Sequence, residues 1–116
     1  MNLDKETAKK IDELQILDRN LQAFLVQKQS MQAELNEVSN ALAEAKSTKD
    51  EVYKVLGNVM LKTNKESLIK ELEEKKKVLD LRVNSIEKQE KLLESRSNKL
   101  KEEVNQEIKM HSPKKD

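Results

Sequence analysis

The sequence predicts a mainly α fold, in which two long helices pair antiparallel as a coiled coil and are joined by a central β-hairpin that assembles into an intersubunit β-barrel. Three observations predict it. Of 116 residues, 35% are hydrophobic, 2% aromatic and 39% charged, with one glycine and one proline, which suits solvated helices and starves a globular core. Apolar residues recur at alternating spacings of three and four on both sides of the midpoint, a regularity that a disordered chain does not require. The two apolar stripes are also mirror images about the only glycine, Gly57. The chain accordingly divides into a coiled-coil helix over 1–48, a hairpin over 49–63, a second coiled-coil helix over 64–110 and a flexible tail over 111–116.

The first helix is expected from about Lys5 to Ser47, a stretch without Gly or Pro. Its stripe is Leu14, Leu17, Leu21, Phe24, Met31, Leu35, Val38, Leu42 and Ala45, with Lys28 in the one polar slot, an unbroken a/d heptad series if Leu14 is position a. A helix about 65 Å long with so narrow a stripe needs a partner. Leu25 and Val26 fall off the stripe as surface apolar residues, while Leu3, Ile11 and Ile16 gather toward the free end.

Two β-rich runs, Val52 to Leu56 and Val59 to Thr63, flank Gly57-Asn58, a dipeptide suited to a two-residue hairpin turn. An isolated hairpin is marginal in water, and this one carries Val52, Tyr53, Val55, Leu56, Val59, Met60 and Leu61 on both faces. The strands are therefore expected to join strands of other chains and bury those residues, with Gly57 making the turn.

Thr63-Asn64-Lys65-Glu66 matches a capping box, so the second helix starts directly after the hairpin, with Thr63 or Asn64 as the cap. Its seam reads Ile69, Leu72, Lys76, Leu79, Val83, Ile86, Glu90, Leu93, Ser97, Leu100 and Val104, and Pro113 lies beyond its end. If the helices fold back on each other, facing seam residues have numbers totalling a constant. Pairs from 45 with 69 through 42 with 72, 38 with 76 and 28 with 86 to 14 with 100 all total 114, whose half is 57, the number of the turn glycine. Glu34 and Arg82 come out as flank positions able to pair. The polar seam residues Lys28, Lys76, Glu90 and Ser97 are expected to snorkel out and fix register at some cost in stability. Thr7 facing Glu107 and Lys10 facing Val104 degrade the seam further, and the free ends are expected to fray.

Composition and motifs argue against chemistry. The 23 basic and 22 acidic residues are interspersed, so no basic field attracts nucleic acid or an acidic membrane. There is no cysteine, and the lone His111 has no neighbouring ligand, so no metal and no cofactor are expected. Carboxylates lie in mixed charge patterns on exposed faces without a pocket to raise a pKa, and no phosphate loop or Ser/His/Asp set can be assembled. The chain is expected not to be an enzyme. It shows no apolar leader and no membrane-spanning run, which makes a soluble, cytoplasmic protein the expectation.

Gln27-Lys28-Gln29 and Leu35-Asn36-Glu37 in the first helix, and Glu51-Val52-Tyr53-Lys54 with Gly57-Asn58 in the hairpin, carry a resemblance. It continues through Glu71-Leu72, Glu74-Lys75, Leu81-Arg82 and Glu87-Lys88-Gln89-Glu90 in the second helix. Together these resemble the β-type subunits of prefoldin, in their archaeal form, from about Leu14 to Lys101. The hairpin between helices of matched length is the specific part. The resemblance implies a hexamer of two α-type and four β-type subunits, with a double β-barrel body from which six coiled coils hang. It implies an ATP-independent holdase that captures unfolded client proteins at the distal coil ends and passes them to a group II chaperonin. The termini depart from the family's Gln-rich or Gly/Pro-containing ends.

A holdase needs accessible apolar groups too sparse to self-aggregate, with weak contacts summed over several arms. Leu3, Ile11, Leu14 and Leu17 on the first helix, and Leu100, Val104, Ile108 and Met110 on the second, are the candidate client-binding residues, Met110 being flexible and polarisable. Leu14, Leu17 and Leu100 serve equally as seam residues. Two other classes compete: a structural spacer or tether, which does not need an apolar hairpin, and a nucleic-acid arm, which needs a basic stripe that the interspersed charges do not supply.

Overall fold

A computed structural model describes residues 4–111 and orders them as α1 (Lys5–Ser47), β1 (Val52–Leu56), β2 (Val59–Thr63) and α2 (Lys65–His111). Leu3 and residues 112–116 of the expected tail lie outside the described residues. Both helices start on a side-chain cap. Asp4 Oδ1 accepts from the Thr7 amide at 2.7 Å, and Asn64 Oδ1 accepts from the amides of Glu66 at 2.8 Å and Ser67 at 3.2 Å. Asn64, not Thr63, is thus the cap of α2, because Thr63 is still paired with Val52 at the end of the sheet.

The chain forms two compact units. One spans Lys28–Ser85 and contains the hairpin. Here β1 and β2 pair antiparallel from Val52 with Thr63 to Leu56 with Val59, which leaves Gly57 and Asn58 as a two-residue loop. Gly57 has φ 59° and no other described residue has positive φ, the combination of a type II′ turn, whose twist matches that of the strands. The core of this unit is Val38, Leu42 and Ala45 of α1 against Leu79 and Val83 of α2. All were read as seam positions. Burying each large side chain contributes about 1.5–3 kcal/mol, which sets the antiparallel pairing.

Two ion pairs join the helices of this unit along the flanks: Glu34 with Lys75 at 3.4 Å and Lys46 with Glu73 at 3.4 Å. Glu34 thus pairs with Lys75, not with Arg82 as the flank positions suggested. Two facing choices are open to every flank residue, one turn up or down, and the heptad phase alone does not select between them. At the hairpin base, Lys65 Nζ donates to Thr48 O at 2.7 Å and to Lys46 O at 3.4 Å, satisfying carbonyls left open at the end of α1.

The other unit is built from the chain up to Gln27 and from Ile86 onward. Its core is Leu17 of α1 with Ile86, Leu100 and Val104 of α2. Glu90 and Ser97 are buried with them, which corrects the expectation that polar seam residues would turn out to solvent. Serine is too short to leave a seam, and glutamate reaches less far than lysine; Lys28 and Lys76 are only half-buried. Every buried side-chain nitrogen and oxygen among the described residues has a hydrogen-bond partner, as burial of such groups demands.

Candidate functional site

The hairpin presents more apolar surface than a single chain covers. Successive residues of a strand point to opposite faces, so Val52, Lys54, Leu56, Val59, Leu61 and Thr63 share one face, and Tyr53, Val55, Met60 and Lys62 the other. Val52 and Lys54 are half-buried, the latter hydrogen-bonded to Glu71 of α2. Toward the turn, both faces are open: Met60 is 67% and Val55 62% exposed, and Tyr53, Leu56, Val59 and Leu61 are also exposed. A groove of about 430 Å³, lined by Ala41, Ala45, Val52, Val55, Leu68 and Leu72 among others, runs beside the same strand. Exposed apolar residues on both faces of a short two-stranded sheet leave two edges free to pair, the geometry of strand addition.

Glu51 organises the base of the second face. Lys62 lies 2.8 Å from its carboxylate, and Tyr53, the cross-strand partner of Lys62, donates its hydroxyl to Glu51 Oε2 at 3.0 Å. These two hydrogen bonds, that of Lys62 first, hold the Glu51 carboxyl below its ordinary pKa.

The second candidate surface is the open end of the unit that contains both helix termini. Of the residues expected there, Met110 is 81% exposed, Ile11, Leu14 and Ile108 are half-buried, and Leu17 and Val104 are buried. Leu100 is only 1% exposed. Leu3 lies outside the described residues. The expected fraying at Thr7 and Lys10 is replaced by a polar clasp. Thr7 is fully buried, and its hydroxyl donates to Glu107 Oε2. Lys10 Nζ donates to Glu107 Oε1 at 2.5 Å and lies 3.6 Å from Glu103 Oε2. The hydrogen bond to Glu107 is the main reason that the Lys10 ammonium is held above its ordinary pKa. The same bond, and then that of Thr7, holds Glu107 below its own.

The clasp residues were not singled out as functional from the sequence, although the signal was present: a threonine facing a glutamate across the seam, with a lysine one turn on. Farther along the unit, Glu13 accepts from both Nε and Nη2 of Arg96, at 3.1 and 3.3 Å. A shallow groove of about 230 Å³ lies between Asn20, Phe24, Gln89, Leu92 and Leu93. Among the described residues no group of three or more His, Cys, Asp or Glu is placed to hold a metal ion, and no helix is long and apolar enough to cross a membrane.

Comparison with known proteins points in one direction. A family model described as "Prefoldin subunit" matches residues 8–110. The prefoldin subunit beta of Pyrococcus abyssi is 32% identical over 105 residues, which cover 89% of this chain and 90% of the relative. That of Archaeoglobus fulgidus is 39% identical over 82 residues, covering 69% and 71%. The crystal structure of the prefoldin beta subunit from Thermococcus strain KS-1 aligns with a TM-score of 0.84 at 32% identity, covering 97% of this chain and 98% of that one.

Proposed function

This chain belongs to the prefoldin subunit family as a β-type member, and from that premise we propose that it is one subunit of an ATP-independent holdase that captures unfolded proteins and delivers them to a group II chaperonin. Membership makes a chaperone-cofactor role the frame; client capture and delivery are the finer reading. The observation that carries it is the apolar hairpin, whose Tyr53, Val55, Leu56, Val59, Met60 and Leu61 are exposed together on the two faces of one short sheet. Such a sheet is stable in water once strands of other chains cover it.

The partners in this reading are α-type prefoldin subunits and other β-type copies, in a hexamer of two α-type and four β-type chains, working in the cytoplasm without a cofactor. Assembly places several weak capture surfaces on one body, so that avidity supplies what each arm lacks. Ile11, Leu14, Ile108 and Met110, with Leu3, Leu17, Leu100 and Val104, are the residues proposed to meet the client. Sparse apolar groups on a charged arm bind unfolded chains without binding each other.

Two measurements test the reading. The mass of the chain alone and mixed with an α-type subunit reports assembly, and charges at Val55 and Leu61, one on each face of the hairpin, are expected to abolish it. An unchanged oligomer in that variant sinks the assembly role. Light scattering from an unfolded substrate reports capture. A chain lacking the segment up to Thr7 and everything after Glu103 is expected to assemble normally yet no longer suppress aggregation; retained suppression sinks the capture site.

A further inference from the structure

In the unit that holds both helix termini, one side of the helix pair carries no charge for about three turns of α1. Ile16, Asn20, Ala23 and Gln27 follow one another at spacings of three and four and so share a face of α1, as Gln89 and Leu92 share one of α2. The two faces adjoin: Asn20 and Phe24 of one helix and Gln89, Leu92 and Leu93 of the other line the shallow groove of about 230 Å³. The Glu13–Arg96 pair bounds this side, Glu13 lying one turn before Ile16 and Arg96 one turn after Leu92. Asp18, Glu87, Lys91 and Glu94, from the same stretch of the pair, fall on the opposite flank of the seam.

Single apolar residues at a surface are ordinary, but these gather around one hollow. Leu92 is 72% and Ile16 50% exposed. Phe24, the only phenylalanine, occupies a seam position yet is only half-buried, and Glu90, which faces it across the seam, is buried. A leucine as exposed as Leu92 adds little to the stability of the helix pair.

We propose that this groove is a second capture site, about 23 Å along α1 from its first residue, which takes one large apolar side chain from an extended, uncharged segment of an unfolded protein. The inference rests on the capture reading above, and it requires no change in the helix pair, because the groove is open as it stands. The rim selects the occupant. Side-chain amides both donate and accept, so Asn20 and Gln89 suit the main chain of an extended segment whatever its sequence. Arg96, at the border, is already engaged by Glu13 through Nε and Nη2, so the groove offers an anionic partner little. A second copy docked by the same face sets hollow against hollow and leaves the apolar linings out of contact.

Photo-cross-linking in the full chain within its assembly tests the site. The cross-linker p-benzoylphenylalanine replaces Leu92, Glu94 on the charged flank or Met110 at the open end, and guanidine-unfolded citrate synthase is the client. The yield of client adduct at Leu92 is expected to exceed that at Glu94 by about tenfold, the contrast between an apolar groove and a charged flank. Equal yields at those two positions, or adducts of Leu92 with another subunit in place of the client, overturn the site. Adducts at Met110 with none at Leu92 overturn the groove and leave capture standing, whereas no adduct at any position removes both. Leu92→Glu is expected to leave the mass of the assembly unchanged and to raise the amount of protein needed for half-suppression of aggregation about fivefold, with Leu92→Met close to wild type. Unchanged suppression by Leu92→Glu also overturns the site.

Discussion

The ammonium of Lys65, the first residue of α2, donates to the carbonyl oxygen of Thr48 at 2.7 Å, just past the last residue of α1. One side chain therefore closes the base of the hairpin by satisfying the end of one helix from the start of the next. The cation also sits where the α1 carbonyls concentrate negative charge. Lys65→Met keeps the length of the side chain and removes the donor. It is expected to cost about 1 kcal/mol, read as a lower urea midpoint, with faster amide exchange at Asp50 and Val52.

Gly57 stands at φ 59° with open space where a Cβ would be. A substitution there meets no neighbour, so its cost is purely that of the left-handed backbone. Gly57→Ala is expected to lose about 1–2 kcal/mol and Gly57→Asn less, because asparagine tolerates that region better. Thermal melts of the two variants give the order, and Gly57→Ala is further expected to weaken assembly by disordering the strand ends.

Leu79 is a core residue at 3% exposure, while Leu92 is 72% exposed on the same helix. Leu79→Ala is expected to cost about 2–5 kcal/mol through the lost burial and the cavity left behind. Leu92→Ala is expected to stay within about 0.5 kcal/mol. Denaturant titration of the pair tests whether the heptad stripe, rather than hydrophobicity as such, holds the helices together.

The Glu51 carboxyl is held below its ordinary value by Lys62 and Tyr53. A depressed folded pKa contributes stability that is fully present above the unfolded value near 4.5 and is lost as pH falls through the lower folded value. Between pH 7 and 5 the wild-type hairpin is therefore expected to be insensitive to acid on account of this group, and to weaken below about pH 4.5. Glu51→Gln is expected to remove that part of the acid dependence, measured as the pH profile of the urea midpoint.

The helices, the strands and the buried stripe were all legible in the sequence, because each rests on periodicity or on a backbone preference that acts locally. Val38, Leu42, Leu79, Val83, Leu100 and Val104 are buried where the heptads put them, and the strands end at Leu56 and Thr63 as read. The side-chain pairing was less legible. Glu34 takes Lys75 in preference to Arg82, since long flexible side chains choose between facing partners by offsets of a few ångströms that heptad phase does not contain. Asn64 and Thr63 were equivalent as letters, and only the end of the sheet at Thr63 separates them. At Thr7 and Glu107 the polar letters suggested loss of structure, and the structure pairs them. A polar pair in a seam weakens it only when each member lacks the other.

The hairpin at the centre of the chain also dictates an order of events. Contacts between the helical arms of the Lys28–Ser85 unit close loops of moderate length, whereas those of the other unit join residues up to Gln27 with residues from Ile86 onward, always across the whole Lys28–Ser85 segment in sequence. Loop closure costs entropy that rises with the length enclosed, so the turn is the natural nucleus and pairing propagates outward from it like a zip. On the ribosome the part of the first arm up to Gln27 waits for its mate until the final quarter of the chain is being made. For that interval its own leucine stripe is an unfolded surface, and the nascent protein has the same need for protection as the clients it is proposed to serve.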